Sequence, residues 1–233
     1  MIAIIPARGG SKRVPGKNIM DFMGKPMLAW TIEAAQETGL FSQILVSTDD
    51  EKIAEVARQS GAEVPFLRQT AADDIAPVSE ATLAALHQVE LEQGKNYQAV
   101  VQLFAVCPLR TAQEIKDSVE FFFQRKVQFL ISCYAYGFMN PYVASTLNEN
   151  HQPEHLFPDL WAGRKALSDM PKLFAPTGAI WIADVAALKK ANTFYGPGHV
   201  YWPMDWKSAI DIDTYEDIEL AKACFLLKNN PAK

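Results

Sequence analysis

Long apolar runs are missing from this chain. No stretch of its 233 residues reaches the length that a membrane-crossing helix needs, so no membrane partner is expected. The start "MIAIIPARGG" has neither a basic leading segment nor a small-residue cleavage site, so it is not expected to act as an export signal. Cysteine is scarce. Cys107, Cys133 and Cys224 are odd in number and far apart, which argues against a disulfide framework or a cysteine metal site and suggests a reducing cytoplasm. The four histidines, His87, His151, His155 and His199, show no ligand spacing and take no role. An excess of positive charge is also lacking: the formal net charge is −5, which disfavours general nucleic-acid binding. Repeats, low-complexity tracts and obvious linkers are absent. With 49% hydrophobic residues the chain has the means for one packed core, and residues 1–233 are read as a single domain.

One further absence is more specific. The opening "IIPARGGSKRVPGKN" looks at first like the phosphate loop of an ATPase, which needs Gly, four residues, then Gly-Lys and Ser or Thr. Here five residues separate Gly10 from Gly16, and Asn18 follows Lys17. The hydroxyl that would ligate magnesium is not there. What remains is a short apolar strand, Ile2 to Pro6, running into a glycine pair and four cations, Arg8, Lys12, Arg13 and Lys17. Glycines let backbone N–H groups approach an anion closely, and that number of cations suits a triphosphate better than a monophosphate. The alternative is a solvated surface loop. A dinucleotide site is disfavoured, because no acidic residue stands about 20 positions downstream in the expected place.

The pattern along the chain alternates strand and helix. Strands are expected at 2–6, "QILVS" (43–47), "AVVQLFAV" (99–106), "VQFLISCYA" (127–135) and within "TGAIWIAD" (177–184). Helices are expected from about Pro26, after Thr48 or Asp49 as cap and up to Gly61, over 79–94, from Thr111, after Asp184, and from near Tyr215 to the end. Capping is the expected role of the Asp49–Asp50 pair. The run Phe121–Phe123 is expected to be core or a helix–sheet seam. This alternation predicts a doubly wound, mostly parallel, Rossmann-like α/β sheet. The rhythm breaks at 136–176, where prolines and aromatics follow no helical period. That segment reads either as an insertion with hairpins that meets a second subunit, or as a long loop packed on its own sheet.

Near the end, "IDIDT" places Asp211 and Asp213 two residues apart in an extended run, so both carboxylates leave one face. A cation between them would relieve their repulsion, and magnesium accepts one or two carboxylates plus phosphate oxygens. The competing reading is a cap on the last helix by Asp213 or Thr214. Arg68 and Ser79 flank the polar segment "QTAADDIAPV" at the presumed mouth of the sheet.

Taken together, "IIPARGGSKRVPGKNI", "ILVSTDDEKIAEVARQSGAEVPFLR", "CPLR", "FAPTGAIWI" and "SAIDIDTYED" resemble, in order and over nearly the whole chain, the cytidylyltransferases that activate nonulosonic acids. That family comprises the CMP-sialic acid synthetases with their pseudaminic and legionaminic acid members. The resemblance implies a nucleotide-diphospho-sugar transferase type of fold, with residues 136–176 as a dimerisation arm and a homodimer as the assembly. It implies a reaction in which CTP and a nine-carbon 2-keto acid sugar give the CMP-sugar and pyrophosphate, with Mg2+ as cofactor. By matching position, Arg8 and Lys17 are expected on the triphosphate, helped by Gly9, Gly10 and Ser11. Ala7, Asn18, Arg68 and Ser79 are expected on the cytidine, and Asp211 and Asp213 on the metal. Phe104 stands where sialic acid enzymes have a sugar-contacting glutamine, and Arg164 is the candidate for the sugar carboxylate. Synthetases for the eight-carbon sugar KDO usually carry proline after the loop lysine, so Asn18 speaks against that substrate. A catalytically silent nucleotide-binding protein is the non-enzyme alternative, and the charged residues argue against it. Arg13 resembles the pseudaminic branch, and the more apolar pocket implied by Phe104 fits a sugar with deoxy and acetamido groups.

Overall fold

The computed structural model describes residues 1–68, 78–137, 139–163 and 169–229. Its elements in chain order are β1 (Ile2–Pro6), a single 3-10 turn (Lys17–Ile19), β2 (Asp21–Phe22), β3 (Lys25–Pro26), α1 (Met27–Thr38), β4 (Gln43–Ser47), α2 (Glu51–Gln59), α3 (Val78–Gln93), β5 (Ala99–Gln102), α4 (Ala112–Arg125) and β6 (Phe129–Ala135). There follow a 3-10 turn (Pro141–Val143), β7 (Ser145–Leu147), β8 (Pro153–His155), α5 (Pro158–Ala162), β9 (Phe174–Asp184), α6 (Val185–Ala191), β10 (Val200–Pro203) and α7 (Tyr215–Asn229).

β1 is apolar at every position because both faces of the sheet are covered. Ile2 and Ile4 join α3 and α6 side chains such as Leu86, Val89 and Leu188 on one face. Ala3 and Ile5 join Leu28, Ile32, Ile53 and Ile115 from α1, α2 and α4 on the other. The six strands lie in the order β10-β6-β9-β5-β1-β4. The pairs β1–β4, β1–β5 and β10–β6 are parallel, and β9 runs antiparallel between β5 and β6. The expected doubly wound, mostly parallel sheet is present, with β9 as its reversed strand.

Several local expectations shift. The cap of α2 is Asp50, whose carboxylate accepts from the Lys52 and Ile53 amides; neither Thr48 nor Asp49 fills that place. β5 ends at Gln102, four residues short of the apolar run, because the chain then turns away toward Pro108. α4 opens at Thr111 as expected, and the structure adds a reciprocal capping box to Glu114. Phe122 of the aromatic run is buried while Phe123 is exposed. The edge strand β10 has no strong sequence signal: its residues alternate between half-buried and exposed. The segment after β6 does form a small hairpin, β7–β8, with every residue exposed. Cys107, Cys133 and Cys224 are free and buried. Among the described residues no helix is long and apolar enough to cross a membrane.

Candidate active site

The "IDIDT" run is not a paired strand, but its alternation still decides where its side chains go. Ile210 and Ile212 are buried in a third apolar cluster together with Val14, Phe22, Met27 and the inner face of α7. Val14 belongs to the glycine-rich loop after β1. Burial of Val14 beside Ile212 therefore docks two segments about two hundred residues apart, and Asp211 and Asp213, the residues that alternate with Ile210 and Ile212, line the cleft. The Ile212 amide donates to the Val106 carbonyl, which fixes the run just past the end of β5. The competing cap reading is resolved as well. Thr214 caps α7, its hydroxyl accepting from the Asp217 amide while Asp217 accepts from the Asp213 and Thr214 amides. Neither the Asp211 nor the Asp213 side chain is used as the cap.

The cleft has a volume of about 560 Å³, within the range of small-molecule sites. It lies at the carboxyl ends of β1, β4 and β5, where open α/β sheets bind ligands. The strand order sets its layout. The cationic loop after β1 and Arg68, beyond β4, occupy one side. Phe104, after β5, occupies the other, where it packs against Trp181 of β9. Asp211 and Asp213 lie on the same cleft beside the loop.

Of the residues expected on the phosphates, Arg8, Ser11 and Lys17 line this cleft, and Lys12 and Arg13 join them. Lys17 is mostly buried. Its ammonium donates to the Ile212 carbonyl and to Asp213 Oδ1 at 2.9 Å. Arg13 reaches the other oxygen, Oδ2, at 2.8 Å. Burial raises the Asp213 carboxyl, but the hydrogen bond and charge of Lys17, with Arg13, outweigh it and hold the group below its ordinary value. Asp211 is the opposite case. Burial, then the neighbouring Asp213 charge, lift its carboxyl to about 6, against the pull of Lys17. Paired groups pushed in opposite directions within a cleft are a physical mark of a functional site.

The glycine pair behaves differently from expectation. The Gly9 amide does not face the cleft but donates to Asp49 Oδ1 at 2.9 Å. A Cβ on Gly9 would sit 2.7 Å from Asp50, so only glycine lets the loop lie this close to the start of α2. Gly10 is exposed and uncrowded. The glycine that the backbone demands is Gly16, whose φ of +68° turns the chain into Lys17. Asn18 lines the cleft while its amide nitrogen ties back to the Arg8 carbonyl at 2.8 Å.

Arg68 is buried and also lines the cleft, with Ser47 as its partner at 3.4 Å. Its Nε has no partner among the described residues, and burial lowers its pKa despite the nearby Asp49. That leaves a buried cation with bonding capacity toward a ligand. Ala7 and Ser79 do not line the cleft. Ala7 is enclosed and its amide donates to the Ser47 carbonyl; Ser79 is buried and its hydroxyl accepts from the Phe194 amide. Arg164 lies outside the described residues, as does most of the polar segment after Arg68.

Three further residues around the cleft were not assigned these roles from the sequence. Asp49 looked like a helix cap, and its grip on Gly9 is a tertiary contact. Arg110 of "CPLR" is fully buried, has no carboxylate partner among the described residues, and bonds the Ala179 and Phe104 carbonyls and the Thr31 hydroxyl. Trp181, whose ring touches Phe104, Phe194 and Tyr195, extends an aromatic wall away from the cations.

Comparison with known proteins gives the same direction. Residues 2–156 match a family described as Cytidylyltransferase. A pseudaminic acid cytidylyltransferase of Campylobacter jejuni is 36% identical over 235 aligned residues, covering 99% of this chain and 98% of that one. A CMP-N,N'-diacetyllegionaminic acid synthase of Legionella pneumophila is 30% identical, covering 95% of this chain and 94% of that one. Among solved structures, a CMP:2-keto-3-deoxy-manno-octonic acid synthetase complexed with CTP superposes with a TM-score of 0.69 at 15% identity, covering 97% of this chain and 98% of that one. At that identity the likeness speaks to the fold.

Proposed function

The chain belongs to the cytidylyltransferase family, and from that premise we propose that it transfers CMP from CTP to the anomeric hydroxyl of a nine-carbon 2-keto acid sugar of the sialic, pseudaminic or legionaminic type, releasing pyrophosphate. One observation carries the reading onto these residues: a cleft that holds a cationic loop and two carboxylates from the far end of the chain, side by side.

The reaction forms a bond from the sugar oxygen to the α-phosphorus and breaks the bond from that phosphorus to the pyrophosphate oxygen. Negative charge grows on the leaving pyrophosphate. Arg8 and Lys17, both on the loop and lining the cleft, neutralise it; one preorganised donor of this kind is typically worth about 3–4 kcal/mol of barrier. Arg68, whose Nε has no partner among the described residues, suits the cytidine side. Phe104, backed by Trp181, suits the apolar parts of the sugar. Its 36% identity to a pseudaminic acid enzyme favours a deoxy, acetamido sugar of that branch.

Mg2+ fits the donors present. Asp213 already engages Lys17 and Arg13, yet a carboxylate has about four acceptor positions, so capacity remains beside Asp211. No group of three or more metal-binding side chains occurs among the described residues. Two carboxylates completed by substrate phosphates are the usual arrangement for Mg2+. When bound, the ion supplies charge stabilisation on the phosphates.

Two further points belong to the same reading. Three free, buried thiols suit a reducing cytoplasm. Exposed Met139, Leu147 and Leu156 on the segment after β6 suit burial against a second copy. The test is pyrophosphate release by the purified protein, supplied with CTP, Mg2+ and N-acetylneuraminic, pseudaminic or legionaminic acid in turn. Release only when a sugar is present supports the proposal, and no release with any of the three overturns it. Sizing chromatography tests the dimer.

A further inference from the structure

Phe104 is held more tightly than a cleft-lining side chain requires. Its amide donates to the Gly178 carbonyl at 3.2 Å. Its own carbonyl accepts from the Thr31 hydroxyl at 3.2 Å and from the buried Arg110 guanidinium at 3.4 Å. Arg110 is itself fastened to Ala179 and Thr31. The backbone of residue 104 is therefore pinned from α1, β9 and the "CPLR" turn at once, and cannot shift independently.

The ring is seated by an absence. A Cβ on Gly178 would lie 2.0, 2.5 and 2.6 Å from three atoms of the Phe104 ring, more than about 1 Å short of van der Waals contact. Gly178 carries no positive φ, so backbone freedom is not why glycine stands there. The missing side chain makes a notch in β9 that receives the ring. Beyond the notch, Trp181 closes the far side, with ring centroids 5.3 Å apart, and its indole N–H is fixed on the Thr177 carbonyl at 2.8 Å.

We propose that Gly178 is a specificity-determining residue: its notch draws the Phe104 ring back onto β9 and so sets the width of the sugar end of the cleft. The inference rests on the sugar-transfer reading above. With the backbone pinned and Trp181 behind, a methyl group at 178 leaves the ring one way to go, into the cleft. Arg110 is a positioning residue in this arrangement, since it acts on the sugar only through Phe104.

The experiment uses full-length wild type, Gly178→Ala, and Gly178→Ala combined with Phe104→Leu, with CTP, Mg2+ and the same three sugars. Gly178→Ala is expected to raise the KM for the sugar by roughly tenfold or more while the KM for CTP stays within about twofold, since overpacking acts locally. Replacing the ring by leucine in the same background is expected to recover most of the sugar KM. A general loss of folding would lower the active fraction without separating the two KM values, and would not be repaired at residue 104. Equal shifts in both KM values, no shift, or failure of the double variant to recover overturns the inference. If Gly178→Ala does not fold, Phe104→Leu alone must change the sugar KM and spare that for CTP; otherwise the inference falls. If wild type transfers CMP to none of the sugars, the proposed function falls and takes this inference with it, which distinguishes the two failures.

Discussion

Replacing Asp211 with asparagine removes a charge that the fold holds at a cost. Burial and the adjacent Asp213 lift the Asp211 carboxyl from 3.8 to about 6 in the metal-free protein. The folded state thus binds this proton more tightly than the unfolded chain does. Below about pH 4 the group is protonated in both states and costs nothing. Between about 4 and 6 the unfolded chain ionises first, and stability falls as pH rises. Above 6 the penalty is complete. Two pH units are worth about 3 kcal/mol, which relaxation of the site around the buried carboxyl reduces to about 2 kcal/mol. For a chain of this size that corresponds to a Tm difference of about 4–8 °C. Thermal melts of wild type and Asp211→Asn in EDTA, from pH 4 to pH 8, should therefore coincide at the acid end and diverge toward pH 8, with the variant melting higher. A gap independent of pH, or a variant less stable at pH 8, would refute the account of Asp211 as an unrelieved buried charge. With CTP present, adding Mg2+ should then raise the melting temperature of wild type further and that of the variant less, which tests the metal assignment on the same instrument.

Other perturbations separate the remaining parts of the site. Lys17→Ala should lower the rate of pyrophosphate release by about 10²–10³ at saturating CTP, with the fold intact by circular dichroism; near-normal turnover would remove Lys17 from the chemistry. Asp49→Ala should raise the KM for CTP about fivefold, because the Gly9 amide loses its partner, while Asp49→Asn keeps an oxygen acceptor and should stay near wild type. Identical behaviour of the two variants would deny the anchoring role. Arg110→Met should cost about 2–4 kcal/mol in urea denaturation, since buried carbonyls of Ala179 and Phe104 lose a charged donor. A loss below about half a kcal/mol would contradict that.

The alternation of strand and helix, and with it the sheet, was legible because burial on both faces forces continuous apolar strands such as β1. The cationic loop was legible for a similar reason: glycines and cations directly after a buried strand have few structural uses. Asp211 and Asp213 were legible as a pair, since their spacing puts both on one side whether or not the run is paired as a strand. Ambiguity persisted where two roles share one local signature. Asp49 and Asp50 both look like caps, and only the packing of α2 against the loop assigns the cap to Asp50 and the Gly9 amide to Asp49. Ala7 and Ser79 matched by position but do not line the cleft, and their contacts here are to the Ser47 carbonyl and the Phe194 amide. Gly178 and Arg110 lie within ordered motifs, but the motifs do not disclose their roles, because the role of each is defined by contact with Phe104 in the fold.

What the sequence determined by itself is the chemistry on offer: a glycine-bearing cationic loop, a carboxylate pair, a buried α/β sheet and a set of ordered motifs shared with cytidylyltransferases. These follow from residue type and near-neighbour spacing, which the chain carries wherever it goes. Tertiary structure alone decided that Val14 and Ile212 share one apolar cluster and so bring loop and carboxylates together. It also decided that Lys17 and Arg13 hold Asp213 while Asp211 is left raised, and that a missing methyl group on β9 receives the Phe104 ring. Each of these depends on distances between segments remote in sequence, and those distances are set by how the whole core packs.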